Sequence, residues 1–284
     1  MILITGASGN TGMAVLKALK DRGEQVKVFV HRESQIERMR NAGADEVVVG
    51  DLLDSEEVRH AYEGVRSVYH ICSAYNPDEI EIGKIAIQAA EKTKTEHFVY
   101  HSVLHSISSD MEHHRKKHEV EKLLVNSEVP YSIVQPAPYM QNLLLSKQGV
   151  LDDGILAQKF FTSDETRMNF IDLNDIGEAV AKILTDDSYI GGTYELCGPE
   201  NVTLSDVVKA FQIAAGKEVQ SVFISDEKMR SGLEASGKSG YFVECMLSMF
   251  RHYNEKGFIG SSKTLEFILG RKPVDLQSVI STSI

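Results

Sequence analysis

The stretch Ile4-Thr5-Gly6-Ala7-Ser8-Gly9-Asn10-Thr11-Gly12 decides the fold. It follows an apolar run, residues 1–5, that reads as a strand. It opens an amphipathic segment, residues 11–21, that reads as a helix. Its glycines are spaced GxxGxxG. Gly6 permits a sharp turn off the strand, Gly9 lets the backbone approach a pyrophosphate with no Cβ in the way, and Gly12 allows the helix to pack closely. Free amides at a helix start, with its partial positive charge, hold phosphates. A glycine-rich turn can also exist without a ligand. At the head of a strand–helix–strand series it implies a dinucleotide site, contacted by Gly6, Ala7, Ser8, Gly9, Asn10, Thr11 and Gly12.

Working outward, short apolar runs alternate with longer amphipathic stretches. Strands are expected at 25–30, 46–49, 67–71, 97–101 and 131–135, and helices at 33–41, 55–62, 79–92 and 110–127. The runs VKVFV and FVYH show little polar alternation, as strands buried on both faces require. This rhythm implies an α/β class: a doubly wound parallel sheet of the Rossmann type with helices on both faces. After residue 140 the rhythm loosens. Residues 149–166 look like an irregular connection. Strands follow near 168–171, 192–196 and 219–223, and helices near 174–184, 204–215, 241–250 and 263–269. The expected organisation is a nucleotide-binding domain over 1–150 and a smaller α/β region on the substrate side over 151–284, some of whose segments can pack back onto the sheet.

The net charge of −11 disfavours binding to nucleic-acid phosphates. Cys72, Cys197 and Cys245 are odd in number and widely spaced, which fits free thiols rather than a disulfide framework. No apolar run is long enough to span a membrane, and no leader-like segment is read at the start, so the expectation is a cytoplasmic protein without a membrane partner. His114 and His118 have a metal-ligand spacing, but no HExxH occurs and lysines and arginines crowd the site. No metal is expected.

The second strand bears on the cofactor. NAD-selective sites place Asp or Glu near its end to bond the ribose hydroxyls. This chain has Val30-His31-Arg32, and an arginine binds a 2'-phosphate through charge-assisted bonds. NADP(H) is therefore the expected preference, with NAD(H) also possible. His31 and Arg32 join the predicted cofactor groove. So do Asp51 and Leu52 at the end of the third strand, and Ser73 and Ser102 after the fourth and fifth. Asp51 could instead cap a helix, although Asp54 or Ser55 suits that better.

Together, ITGASGNTG (4–12), VHR (30–32), GDLLD (50–54), HHRKKHEVEKLL (113–124), VPYSIVQPAPYMQNLL (129–144), FIDLNDIGEAV (170–180) and GGTYELCGPENVTLSDV (191–207) make the chain resemble the NmrA-like family of atypical short-chain dehydrogenases/reductases. The resemblance implies a Rossmann domain with a small C-terminal domain over the nicotinamide end. It also implies either a quinone-type reductase or a protein that senses NADP without turning it over. Orthodox members of the wider superfamily carry Tyr-x-x-x-Lys on the helix after the fifth strand. Here His113-x-x-x-Lys117 stands in that place. The resemblance assigns Lys117 to the nicotinamide ribose and leaves His113, or water, as proton donor. Val120, Leu123 and Leu124 read as the buried stripe of that helix, turning polar toward its start. By the same resemblance Pro136 and Ala137 meet the nicotinamide. Tyr139, Met140 and Asn142 border the substrate, and Tyr75, Phe160 and Tyr241 are further candidates. Asp172 and Asp175 read as residues that cap or begin a helix. The expected function is NADPH-dependent hydride transfer to a quinone or small carbonyl compound. The alternative is a non-catalytic NADP(H) sensor acting through a protein partner.

Overall fold

A computed structural model describes residues 1–284. The strands in chain order are β1 (Ile2–Thr5), β2 (Val26–Val30), β3 (Glu46–Val49), β4 (Ser67–His70), β5 (His97–His101), β6 (Tyr131–Pro136), β7 (Ile155–Gln158), β8 (Met168–Asn169), β9 (Thr193–Leu196), β10 (Asn201–Val202) and β11 (Gln220–Phe223). The helices are α1 (Asn10–Asp21), α2 (Ile36–Asn41), α3 (Ser55–Tyr62), α4 (Glu79–Thr93), α5 (Glu112–Val125), α6 (Lys147–Asp153), α7 (Leu173–Leu184), α8 (Leu204–Ala215), α9 (Asp226–Ala235), α10 (Gly240–Lys256), α11 (Lys263–Leu269) and α12 (Leu276–Ser283).

Seven strands form one parallel sheet in the order β3-β2-β1-β4-β5-β6-β9. Side chains alternate across it. Ile2 and Ile4 of β1 join the larger core beneath α1 and α7, whereas Leu3 between them joins the core beneath α3, α4 and α5. Every residue of β1, β2, β4 and β5 is buried, as the absence of polar alternation predicted. Two glycines set helix spacing. A Cβ on Gly177 would lie 2.6 Å from the Ala14 carbonyl oxygen, so α7 approaches α1 closely. One on Gly83 would lie 2.6 Å from Val120, so α4 does the same with α5. The seventh strand, β9, and the helices α7 and α11 come from beyond residue 150 and pack on this sheet.

Several local expectations need correction. Residues 149–166 are not simply irregular: α6 ends there and β7 follows, pairing in parallel with β11. Helices α9 and α12 lie where none was expected. Leu123 is exposed, and the buried face of α5 is His113, His114, Lys117, Val120, Glu121 and Leu124. That helix therefore buries polar groups along its length, not only at its start. The caps agree with the sequence. Asp54 accepts the Glu56 and Glu57 amides and caps α3, and Asp172 accepts the Asn174 amide and caps α7. Asp175, in the first turn of α7, is fully buried and pairs with Arg271 at 2.7 Å.

Candidate active site

The strand order reverses between β1 and β4, and ligands of open parallel sheets bind outside the strand carboxyl ends at such a point. The glycine loop lies there. Gly6 has φ +59°, and a Cβ on it would meet the Ile71 carbonyl oxygen at 2.9 Å. A Cβ on Gly12 would sit 2.6 Å from both Ala7 Cα and the Gly6 oxygen. Above Gly9 the space is open except for the Gly6 oxygen at 3.4 Å. No side chain caps the first turn of α1, and no acidic residue stands in it. Uncapped amides beside an open backbone cradle fit a pyrophosphate.

The end of β2 is stitched to this loop. Gln35 Nε2 donates to Ser8 Oγ at 2.7 Å, and its Oε1 accepts the Arg32 amide at 3.0 Å. His31 and Arg32 are exposed, and the Arg32 guanidinium makes no ion pair. Asp51, also exposed, uses Oδ1 to accept the Leu53 amide at 3.0 Å. Leu52 is half-buried and packs on the smaller core. Ser73 accepts a bond from Asn76 Nδ2 at 3.2 Å.

Beside the loop, at the ends of β5 and β6, opens a cavity of about 570 Å³. The predicted residues Tyr75, Ser102, His113, Pro136, Ala137, Tyr139, Asn142 and Phe160 all line it. Met140 does not: it is buried in the larger core, within reach of Gly198. Tyr241 also stays outside, with the Lys116 ammonium 4.7 Å from its ring centre. Its neighbour Phe242 faces the cavity instead, followed along α10 by Met246, Met249, Phe250 and Tyr253. Their spacing of three and four residues is the one signal the sequence offered for this wall, and it is also the signature of ordinary core. Tyr75 holds φ +56°, a conformation that non-glycine residues rarely adopt and that clusters at functional sites. It places the ring 4.8 Å from both His113 and Phe242, and its hydroxyl donates to Met249 Sδ at 3.4 Å.

Behind the cavity runs a buried polar layer. The Lys117 ammonium is outside the cavity wall, bonded at 3.0 Å to Glu79 Oε1 and at 3.0 Å to the His101 carbonyl oxygen. Tyr100 donates to the same Glu79 oxygen at 2.8 Å. Glu121, four residues on from Lys117, gathers Ser102, Ser106 and Gln135, with Ser106 Oγ at 2.7 Å and Gln135 Nε2 at 2.8 Å. The Ser102 hydroxyl thus spends its proton on Glu121 and offers the cavity only acceptor lone pairs. Burial holds the imidazoles neutral. It pushes His113 well below the usual histidine range, with the Lys117 charge acting in the same direction, and it pulls His114 down to about 3. His113 can therefore give a hydrogen bond at neutral pH, but it is not an imidazolium acid. His114 and His118 turn to different partners, the His105 carbonyl oxygen and Glu121.

Sequence reasoning passed over His101. It ends β5 and is 5% exposed, and burial, with Lys117 adding to it, pushes its pKa down to about 3. Its Nδ1 lies 2.6 Å from the Tyr69 hydroxyl, and its Nε2 lies 3.1 Å from the Tyr139 hydroxyl. Tyr69 is fully buried, and Nδ1 is its hydroxyl's only hydrogen-bond partner. If that hydroxyl accepted, its own proton would be buried without an acceptor, at a cost of roughly 1–3 kcal/mol. Tyr69 therefore donates to Nδ1, which leaves the imidazole proton on Nε2, facing the Tyr139 oxygen. Thr11 Oγ1 of the glycine loop donates to that same oxygen at 3.0 Å.

The model of the NmrA-like family matches residues 1–281. The chain belongs to the NmrA-like family. It is 25% identical over 272 residues to the NAD(P)H azoreductase of Xenophilus azovorans, covering 95% of this chain and 93% of that one. The crystal structure of an Escherichia coli NADPH-dependent quinone oxidoreductase complexed with NADPH superposes with a TM-score of 0.86 at 23% identity, covering 100% and 99% of the two chains. That of the Citrobacter sp. triphenylmethane reductase complexed with NADP(H) gives 0.86 at 19% identity, again covering 100% and 99%. These likenesses establish the Rossmann-type fold with its small C-terminal α/β region for this NmrA-like chain. No helix is long and apolar enough to cross a membrane.

Proposed function

We propose that this NmrA-like chain is an NADPH-dependent oxidoreductase that reduces a neutral, largely apolar acceptor, a quinone or a carbonyl compound, by hydride transfer. The observation that carries the reading is the adjacency of an uncapped glycine loop to a cavity walled by aromatic and methionine side chains. The activities named for the azoreductase and the quinone oxidoreductase support it. When bound, the nicotinamide supplies the hydride.

The chain's own residues would do the rest. The glycine loop holds the pyrophosphate. Arg32, free of ion pairs at the end of β2, meets the 2'-phosphate, and His31, Asp51, Leu52 and Ser73 border the adenosine side. Lys117 has one N–H not committed to Glu79 or His101, and we assign it to the nicotinamide ribose. Ser102, an acceptor toward the cavity, suits the carboxamide amino group, and Pro136 borders the ring. Tyr75, Tyr139, Asn142 and neutral His113 orient the acceptor, while the α10 wall excludes water. A quinone needs less proton assistance than a ketone, because its reduced form is a stabilised oxyanion. The missing tyrosine of α5 is tolerable on that account.

The test is NADPH oxidation by the purified protein against a panel of quinones and small aldehydes, with NADPH binding measured in the same sample. Saturable binding with turnover on at least one acceptor is expected. Saturable binding with no oxidation of any acceptor would replace the reductase by an NADP(H) sensor acting through a protein partner.

A further inference from the structure

The helix after β5 lacks the tyrosine that would pass a proton, yet the cavity holds a phenol from another element. We propose that Tyr139, on the segment after β6, is the proton donor of the reduction, with Thr11 and His101 holding its oxygen. The proposal rests on the reductase reading above.

Three observations converge on this hydroxyl. It lines the cavity. It is tied to the first turn of α1 through Thr11 Oγ1 at 3.0 Å, so it stands where the dinucleotide groove meets the acceptor cavity. And it lies 3.1 Å from His101 Nε2, the nitrogen that carries the imidazole proton because Tyr69 occupies Nδ1. Two donors therefore converge on one phenolic oxygen, leaving its own proton free to go to a third atom. Donors aimed at the place where negative charge develops are the arrangement that stabilises an oxyanion. Thr11 and His101 would act on the phenolate left after transfer.

The step balances. NADPH is oxidised to NADP⁺ as its hydride, with two electrons, bonds to the acceptor. The displaced electron pair settles on the acceptor oxygen. That oxygen takes the Tyr139 proton, so the phenolic O–H bond breaks as the new O–H bond forms. Water at the cavity mouth reprotonates the phenolate after product leaves. The other titratable groups of the cavity that Tyr139 lines are His101 of β5, His113 and His114 of α5, Tyr75 of the loop after β4, Tyr253 of α10 and Lys159 just after β7, which pairs with Asp226; Tyr69 of β4 lies behind His101. The histidines, Tyr69 and Tyr253 are buried and Tyr75 is half-buried, and burial disfavours the charged form of each. The Lys117 ammonium acts on His101 from behind. No carboxylate hydrogen-bonds to the phenol or to its two donors.

Tyr139→Phe removes only the hydroxyl and keeps the ring. Expected is a fall in kcat of ~10²–10³-fold with an aldehyde, a smaller fall with a quinone, and an NADPH Kd within about twofold of wild type. The solvent isotope effect on kcat disappears. A kcat within about threefold of wild type on both acceptors overturns the proposal while leaving the reductase reading intact.

A second readout needs neither cofactor nor acceptor. Phenolate absorbance, titrated in wild type minus Tyr139→Phe, isolates the ionisation of Tyr139. His101→Leu should raise its midpoint by about one pH unit, and His101→Gln, which keeps a side-chain N–H, should restore it. An unmoved midpoint in both variants overturns the proposal even if wild type oxidises no NADPH. In that event the reductase reading fails separately.

Discussion

The two sides of the crevice are built from different materials. The proposed cofactor side is backbone: a turn at Gly6 that no side chain can enter, the bare amides of α1, and a glutamine that ties Ser8 to the Arg32 amide. The proposed acceptor side is side chain: an aromatic and methionine wall from α10, Tyr75 held at positive φ, and a buried layer of neutral histidines and paired charges behind them. A backbone site tolerates pH changes, because amides do not titrate. A site resting on buried titratable groups does not. The fold thus fixes the geometry of the first side locally and stakes that of the second on the whole core.

Acid should expose the difference most. Burial lowers His70 to about 4 and His101 and His114 to about 3, and it takes His113 well below the usual range. A base whose folded pKa is depressed binds its proton first in the unfolded chain. Below the unfolded value of about 6.5 the unfolded state therefore gains protons that the folded state refuses, and stability falls as pH falls. Each such histidine contributes a slope of up to about 1.4 kcal/mol per pH unit between about pH 6.5 and its folded pKa. Urea unfolding at pH 7.5 and pH 5.5 should differ by several kcal/mol. Equal stabilities at the two values would mean that the imidazole layer is hydrated, and the contrast between the two sides would collapse.

Next in size is the Lys117–Glu79 pair. Both side chains are almost fully buried, and removing one partner leaves the other charge uncompensated. Lys117→Ala should cost roughly 3–5 kcal/mol of stability. Lys117→Met combined with Glu79→Gln should recover most of it, as replacing both charges usually does. If the single variant is as stable as wild type, the ammonium is not part of the structural layer, and its assignment to the ribose gains weight. Loss of activity in Lys117→Ala alone says little until the double variant has been measured.

The same contrast explains what the sequence made legible. Gly6, Gly9 and Gly12 could be read because backbone geometry restricts residue type at those positions. The position of Arg32 just past the end of β2 could be read by counting along the second strand. The α10 wall could not, because Phe242, Met246, Met249 and Phe250 follow the same periodicity as a helix facing core. Met140 and Tyr241 were misplaced for a related reason: proximity in sequence to a lining residue does not decide which way a side chain turns. Tyr75 was among the candidates, but its positive φ was not legible, since nothing in a tyrosine announces it. Helix α6 was hidden by Gly149 in its interior, where a Cβ would come within 3.0 Å of the Ile155 oxygen. Leu123 looked like core in a helix that buries Glu121 instead, because a buried carboxylate is intelligible only once Ser102, Ser106 and Gln135 are seen around it.

On the cofactor side the expected effect is smaller and sharply directed. Arg32→Ala should weaken NADPH binding by roughly one to two orders of magnitude, the worth of about 1.5–3 kcal/mol of charge-assisted bonding. NADH binding should hardly change, because NADH has no 2'-phosphate. Direct titration of both cofactors checks this. An unchanged NADPH-to-NADH ratio removes Arg32 from the site.

The smallest effect tests whether the two sides are separable at all. Met249→Leu nearly conserves volume, so its cost should stay below about 1.5 kcal/mol. It also removes the sulfur to which the Tyr75 hydroxyl donates. A several-fold change in kcat/KM for a bulky acceptor should follow, as Tyr75 loses one of the contacts that fix its ring between His113 and Phe242. The NADPH Kd should not move, because no residue of the glycine loop lines the α10 wall. If NADPH binding shifts as much as acceptor turnover does, the crevice works as one unit. The connection to examine would then be the Thr11–Tyr139 bond, the one side-chain hydrogen bond that joins the glycine loop to the cavity lining.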